Sequence, residues 1–114
     1  MATSNDIHRE DLLTAVLTRG GLTARVEIKR VELMPAQATG RHQHPCPVVG
    51  YVAAGSIKFQ IDGEPIRRLQ TGDAFFEPRD ARINHFDNES ADEPAVFIAF
   101  YLLDEHEHRL IEML

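Results

Sequence analysis

The chain predicts an all-β domain, a sandwich or barrel of short antiparallel strands. Three observations carry that prediction. Apolar and polar residues alternate through Ile57, Phe59 and Ile61 against Lys58, Gln60 and Asp62, the period of a half-buried strand. Turn residues recur roughly every 8–12 positions, as at Gly20-Gly21, Ala54-Gly55-Ser56, Thr71-Gly72-Asp73 and Asp87-Asn88-Glu89-Ser90. Asp62-Gly63, set between two apolar runs, is the strongest hairpin signal, because tight hairpin turns need residues that accept positive φ. Periodicity alone leaves several all-β folds open. No internal repeat, low-complexity tract or linker divides the 114 residues, so a single domain over 1–114 is expected.

Each element follows from local chemistry. Residues 1 to about 10 are polar and expected to be loose. Leu12, Leu13, Val16 and Leu17 suit one or two helical turns, with a short strand as the alternative because Thr14, Val16 and Thr18 are β-branched on one parity. From Leu22 to Leu33 the pattern is a strand, with Val26 and Ile28 on one face and Val31 and Leu33 on the other. That parity switch across Lys29-Arg30 predicts a β-bulge or a change of sheet. Pro45 and Pro47 around Cys46 predict a rigid corner. Strands are expected at 48–53, 57–61, 66–70, 74–77, 82–86 and 95–103, the fourth of these stopped by Pro78. Arg109 to Leu114 reads as a short amphipathic helix.

Composition narrows the function classes. A formal charge of −6 argues against a nucleic-acid or anionic-membrane partner, both of which select a concentrated basic face. No apolar run approaches the ~20 residues of a membrane span. Residues 1–13 lack the basic start and apolar segment of a signal peptide, and a single cysteine cannot close an internal disulfide, so a cytoplasmic protein is expected.

The chemistry concentrates in PAQATGRHQHPCPVVGYVAAG, residues 35–55. His42 and His44 are spaced i,i+2, which on a strand aims both imidazoles to one face, and two neutral imidazoles on one wall are half of a metal site. With GDAFFEPRDARINHFDN, residues 72–88, this stretch resembles the two signature motifs of the cupin superfamily, G-x5-H-x-H-x3–4-E-x6-G and G-x5-P-x-G-x2-H-x3-N. His42, His44, Gly55, Gly72 and Pro78 match. Ala36 and Asp80 stand in glycine positions, Val48 in that of the metal-binding Glu, Ile83 in that of the His, and Asp87 in that of the Asn. The resemblance runs from about Val26 to Leu103 and implies a double-stranded β-helix, the cupin jelly-roll barrel, with a core barrel over about 26–103.

A divalent transition metal (Fe, Mn, Zn or Ni) in such a barrel needs about three protein ligands and an open position. His42 and His44 supply two. His85 is the candidate third, two residues beyond Ile83 and therefore expected on the same face, displaced by roughly 6.6 Å along the strand. A rim position for His85 is the competing reading. Cys46 reads as an apolar filler, Glu77 as structural or as a base at the barrel mouth, and His106 and His108 as solvated residues of an acidic tail whose removal after Leu103 leaves ligand affinity within a few-fold. Arg41 and Arg82 could hold a carboxylate, but their parity points away from the histidines. Val48, Gly50, Val52 and Ile83 line an apolar interior suited to a small, partly apolar ligand. Two function classes follow: a metal-dependent oxygenase or isomerase, or a non-catalytic small-molecule-binding cupin. Neither takes an organic cofactor. A purely structural domain ranks below both, since an inert barrel has no need of the histidine pair. A homodimer is expected, its edges covered by Leu12–Leu17 and by Leu110, Ile111 and Leu114.

Overall fold

Nine strands form two antiparallel sheets in this computed structural model, which describes residues 11–13, 15 and 22–114. In chain order they are β1 (Arg25–Leu33), β2 (His42–Gln43), β3 (Val48–Ala54), β4 (Ser56–Ile61), β5 (Arg67–Gln70), β6 (Ala74–Glu77), β7 (Ile83–Asn88), β8 (Ala95–Leu103) and β9 (Glu112–Met113). One sheet runs β1-β8-β3-β6 and the other β5-β4-β7-β2-β9, the jelly-roll arrangement that the cupin resemblance implies. Most of the expected helical stretch around Leu12–Leu17 lies outside the described residues.

Three expectations change. β1 pairs with β8 in unbroken register from Arg25↔Leu103 to Leu33↔Ala95, with no bulge at Lys29-Arg30. Val26 and Ile28 stay on the outer face, while Arg25, Glu27 and Lys29 take inward positions. They can do so because Glu27 pairs with Arg25 at 3.1 Å and with Lys29 at 3.5 Å where the edge strand still meets solvent. Residues 109–114 form no helix. Glu112–Met113 instead adds to β2, since backbone pairing with an open edge satisfies more polar groups than an isolated helical turn. Finally, β7 carries one extra residue against β4: Gln60 pairs with His85 but Ile61 with Ile83, so Asn84 is bulged and side-chain parity flips across it.

The core decides where a site can sit. Phe59, Phe75, Phe86 and Phe97 interlock edge-to-face, with centroids 4.6 Å apart for Phe86–Phe97 and 5.0 Å for Phe75–Phe86. Gly50 sits among them because a Cβ there would meet the Ile98 carbonyl oxygen and approach the Phe75 ring to 2.6 Å. This packing fills the rows of Gly50 and Val52. The polar interior is therefore confined to the Val48 end of β3. Asn88 ties the opposite end: its amide donates to the carbonyls of Met34 at 3.0 Å and Glu93 at 2.8 Å, and its oxygen accepts the Ser90 N–H at 2.9 Å.

Candidate metal centre

The i,i+2 pair behaves as strand geometry dictates. β2 pairs His42 with Ile83, and both imidazoles turn inward, with ring centroids 4.9 Å apart. The corner after them is held from below: the Asp80 N–H donates to the His44 carbonyl at 2.9 Å and Arg79 donates to the Pro45 carbonyl at 3.0 Å. Asp80 and Ala36, the two non-glycine residues in glycine positions, both keep left-handed φ, +63° and +61°. The turns are thus preserved although the side chains are not.

The third group is Glu77. In the β3–β6 register Val48 lies directly opposite Glu77, and directly opposed residues on one face stand about 5 Å apart at Cβ. The carboxylate that Val48 lacks is supplied from the neighbouring strand. Glu77 Oε2 lies 3.2 Å from His44 Nε2 and 3.6 Å from His42 Nε2, and all three residues are about 95% buried or more. On the other side of Val48 the same row continues to Tyr101, whose ring meets His44 edge-on at 5.6 Å. Glu77 and Tyr101 both face the site because they share Val48's row.

Proton placement makes this cluster chemically specific. His42 Nδ1 lies 2.8 Å from the Gly40 carbonyl and His44 Nδ1 lies 2.6 Å from the Leu110 carbonyl. A carbonyl oxygen only accepts, so each Nδ1 carries the hydrogen and each neutral ring turns a bare Nε2 lone pair toward Glu77. Glu77 Oε2 is buried with no hydrogen-bond donor among the described residues, so three lone-pair atoms converge with no proton between them. Such a set needs a positive charge. Part of it can come from a proton: burial opposes the His42 imidazolium, but the facing Glu77 carboxylate and the Gly40 carbonyl outweigh it and raise its pKa. Burial likewise opposes the Glu77 carboxylate, and the two imidazoles outweigh it and lower its pKa.

A divalent cation could satisfy all three atoms at once, which a single proton cannot. The ligand atoms lie within 4.8 Å of one another. Donors ~2.1 Å from one ion stand roughly 3.0–3.4 Å apart at octahedral or tetrahedral angles, close to the 3.2 and 3.6 Å separations here. The Nδ1–H-to-carbonyl bonds are of the kind that orients histidines at metal sites.

The remaining candidates fall elsewhere. The bulge at Asn84 turns His85 to the outer face, where Nδ1 bonds Asp87 Oδ2 at 2.8 Å. Ile83 keeps the inward position opposite His42. Cys46 is fully buried and its thiol pKa is pushed up, chiefly by burial, to about 11, as suits an apolar filler. Arg41 is exposed and donates to Asn84, and Arg82 is exposed. His106 and His108 are exposed, yet the tail that carries them reaches the site through Leu110. Glu77, Tyr101 and Leu110 are legible only once strand pairing is known. The sole hint in the sequence is a carboxylate ending the aromatic strand AFFE before Pro78.

Comparison with known proteins places this geometry in a family. The family model described as Cupin domain matches residues 29–101. The dimethylsulfoniopropionate lyase DddQ of Ruegeria pomeroyi is 43% identical over 37 residues, 32% of this chain but only 18% of that protein. Its crystal structure superposes with a TM-score of 0.65 at 24% identity, over 77% of this chain and 42% of that one. A cupin-like protein of Thermotoga maritima gives a TM-score of 0.65 at 26% identity, over 78% of this chain and 64% of that one. Oxalate decarboxylase of Bacillus subtilis gives 0.67 at 21% identity, over 78% of this chain and 24% of that one. This chain thus spans less than half the length of the two enzymes it resembles.

Proposed function

The chain belongs to the cupin domain family, and from that premise we propose that it is a metal-dependent cupin in which His42, His44 and Glu77 hold a divalent transition ion and a small carboxylate is the substrate. The observation that carries this reading is the buried, unpartnered Glu77 Oε2 facing two bare Nε2 atoms. The substrate class is supported by the names of the relatives, a lyase of a propionate and a decarboxylase of oxalate. Iron, manganese, zinc and nickel all accept such a donor set.

When bound, the ion supplies Lewis acidity or, for iron and manganese, redox chemistry at the buried end of the barrel. The chain's own residues do the rest. Gly40 and Leu110 keep the rings oriented. Val48 and Ile83, each about 1% exposed or less, pack beside the histidines and keep that end of the core dry. Tyr101, whose ring packs against His44, stays protonated, its pKa pushed up to about 12 by burial and then by the Glu77 charge. Oxygenase, isomerase and lyase chemistry all use such a site. A single domain is part of this reading. So are a cytoplasmic location and a homodimer, the last supported by Val26, Ile28 and Tyr51 standing 49%, 60% and 41% exposed on the outer face of the β1-β8-β3-β6 sheet.

Metal analysis of the purified protein, followed by a turnover screen of small carboxylates with the loaded protein, tests the proposal. A near-stoichiometric ion, lost in His42→Ala, is the expected result. A chain that takes up no zinc, nickel, manganese or iron even in excess overturns it. Saturable carboxylate binding without turnover replaces the enzyme with a binding module.

A further inference from the structure

After β8 the chain does not leave the barrel. It crosses from β8, an inner strand of one sheet, to the edge of the other beside β2, passing over the histidines. At the near end Asp104 Oδ1 accepts the N–H groups of His106 and Glu107 at 2.9 and 2.8 Å, and Arg25 of β1 donates to the Glu107 carbonyl at 2.7 Å. At the far end β9 pairs with β2, Gln43 Nε2 donates to Glu112 Oε1 at 2.9 Å, and the Leu114 N–H donates to the Arg41 carbonyl at 3.0 Å. Between these clamps Leu110 packs against the core, and its carbonyl takes the His44 Nδ1 proton at 2.6 Å.

Resting on the metal reading above, we propose that residues 104–114 are a positioning strap: the Leu110 carbonyl holds His44 in the Nδ1–H tautomer with Nε2 toward Glu77, and strap docking and metal occupancy strengthen each other. The asymmetry between the two histidines supports this. The His42 proton goes to Gly40, two residues away in its own loop, so its orientation is local. The His44 proton goes to a carbonyl 66 residues on, so its orientation depends on where the strap lies. Among the described residues, its hydrogen-bond partner is that carbonyl. Because the tautomer of a ligating histidine is set by the partner of its other nitrogen, loss of that partner weakens metal binding, and linkage requires the metal to stabilise the docked strap in return. The proposal puts residues after Leu103 in the site, against the expectation that their removal leaves ligand affinity within a few-fold.

The test uses the full chain, a chain ending at Asp104, and a full-length Glu112→Ala/Leu114→Pro variant that loosens β9 should the shortened chain fail to fold. Ring nitrogen-15 shifts of the metal-free proteins, at a pH where both imidazoles are neutral, report the tautomers. The His44 ring is expected to be Nδ1-protonated in the full chain and averaged between tautomers in the variants, with the His42 ring unchanged as an internal control. Zinc titration against a competing chelator should show affinity about tenfold weaker or more in the variants. Zinc should also slow hydrogen exchange of the Leu114 amide in the full chain. An unchanged His44 tautomer overturns the proposal, as do zinc affinities within about threefold of a zinc-binding full chain. A full chain that binds no zinc sinks the metal reading instead, and the tautomer comparison then decides the strap alone.

Discussion

Moving the carboxylate one strand sideways tests the row Glu77–Val48–Tyr101 as a unit. Val48 faces Glu77 across β3 and β6, so Glu77→Val combined with Val48→Glu shifts the carboxylate by one strand spacing, about 5 Å, within the same inward layer. Glu77→Val alone removes one of three donors and the only negative charge among them. Breaking a buried charge pair costs about 3 kcal/mol or more, which is roughly 100-fold in affinity. Zinc at about 100 times the wild-type dissociation constant stabilises the folded state by about 2.7 kcal/mol, or roughly 10 °C in melting temperature for a chain of this size. Under the same zinc concentration Glu77→Val should retain about 2 °C or less. The swapped double variant should recover at least half of the wild-type shift, because both histidines are untouched. Val48→Glu alone should melt lower without metal, since two buried carboxylates then repel, and gain more from zinc than wild type does. Differential scanning fluorimetry with chelator-stripped protein reads all four. A full zinc shift in Glu77→Val would refute Glu77 as a ligand. A folded double variant with no recovery would refute the row.

Three further outcomes are expected. The raised His42 pKa means its pairing with Glu77 supports the metal-free fold below the ordinary histidine value of 6.5 and fades as pH climbs through the raised one, while the lowered Glu77 pKa means its share fades as pH falls. Zinc must displace the His42 proton, so the zinc-induced melting shift should grow from about pH 6 to pH 8, and a flat profile counts against this ligand. Ile83→His places an imidazole opposite His42 and should tighten zinc binding, whereas His85→Ala should leave it unchanged, both read by chelator competition. Ala36→Gly relieves a left-handed φ of +61° and should raise stability by about 1 kcal/mol in urea denaturation, the opposite of an ordinary alanine-to-glycine change.

What the sequence determined by itself is local. Alternation over a few residues places Ile57 and Phe59 inside, Pro78 ends β6, and the i,i+2 spacing aims His42 and His44 to one side, because side-chain parity on a strand is set by the backbone within two residues. The motif around those histidines was also enough for the cupin resemblance. The tertiary structure decided everything that depends on register between distant strands. It set Glu77 opposite the empty Val48 position and Tyr101 on its other side, and it laid the Leu110 carbonyl over His44. A single bulge at Asn84, invisible to a period-two reading, turned His85 out of the barrel. Residues 29 to 66 positions apart meet here through backbone pairing, and pairing register is chosen by the packing of the whole core rather than by any one segment.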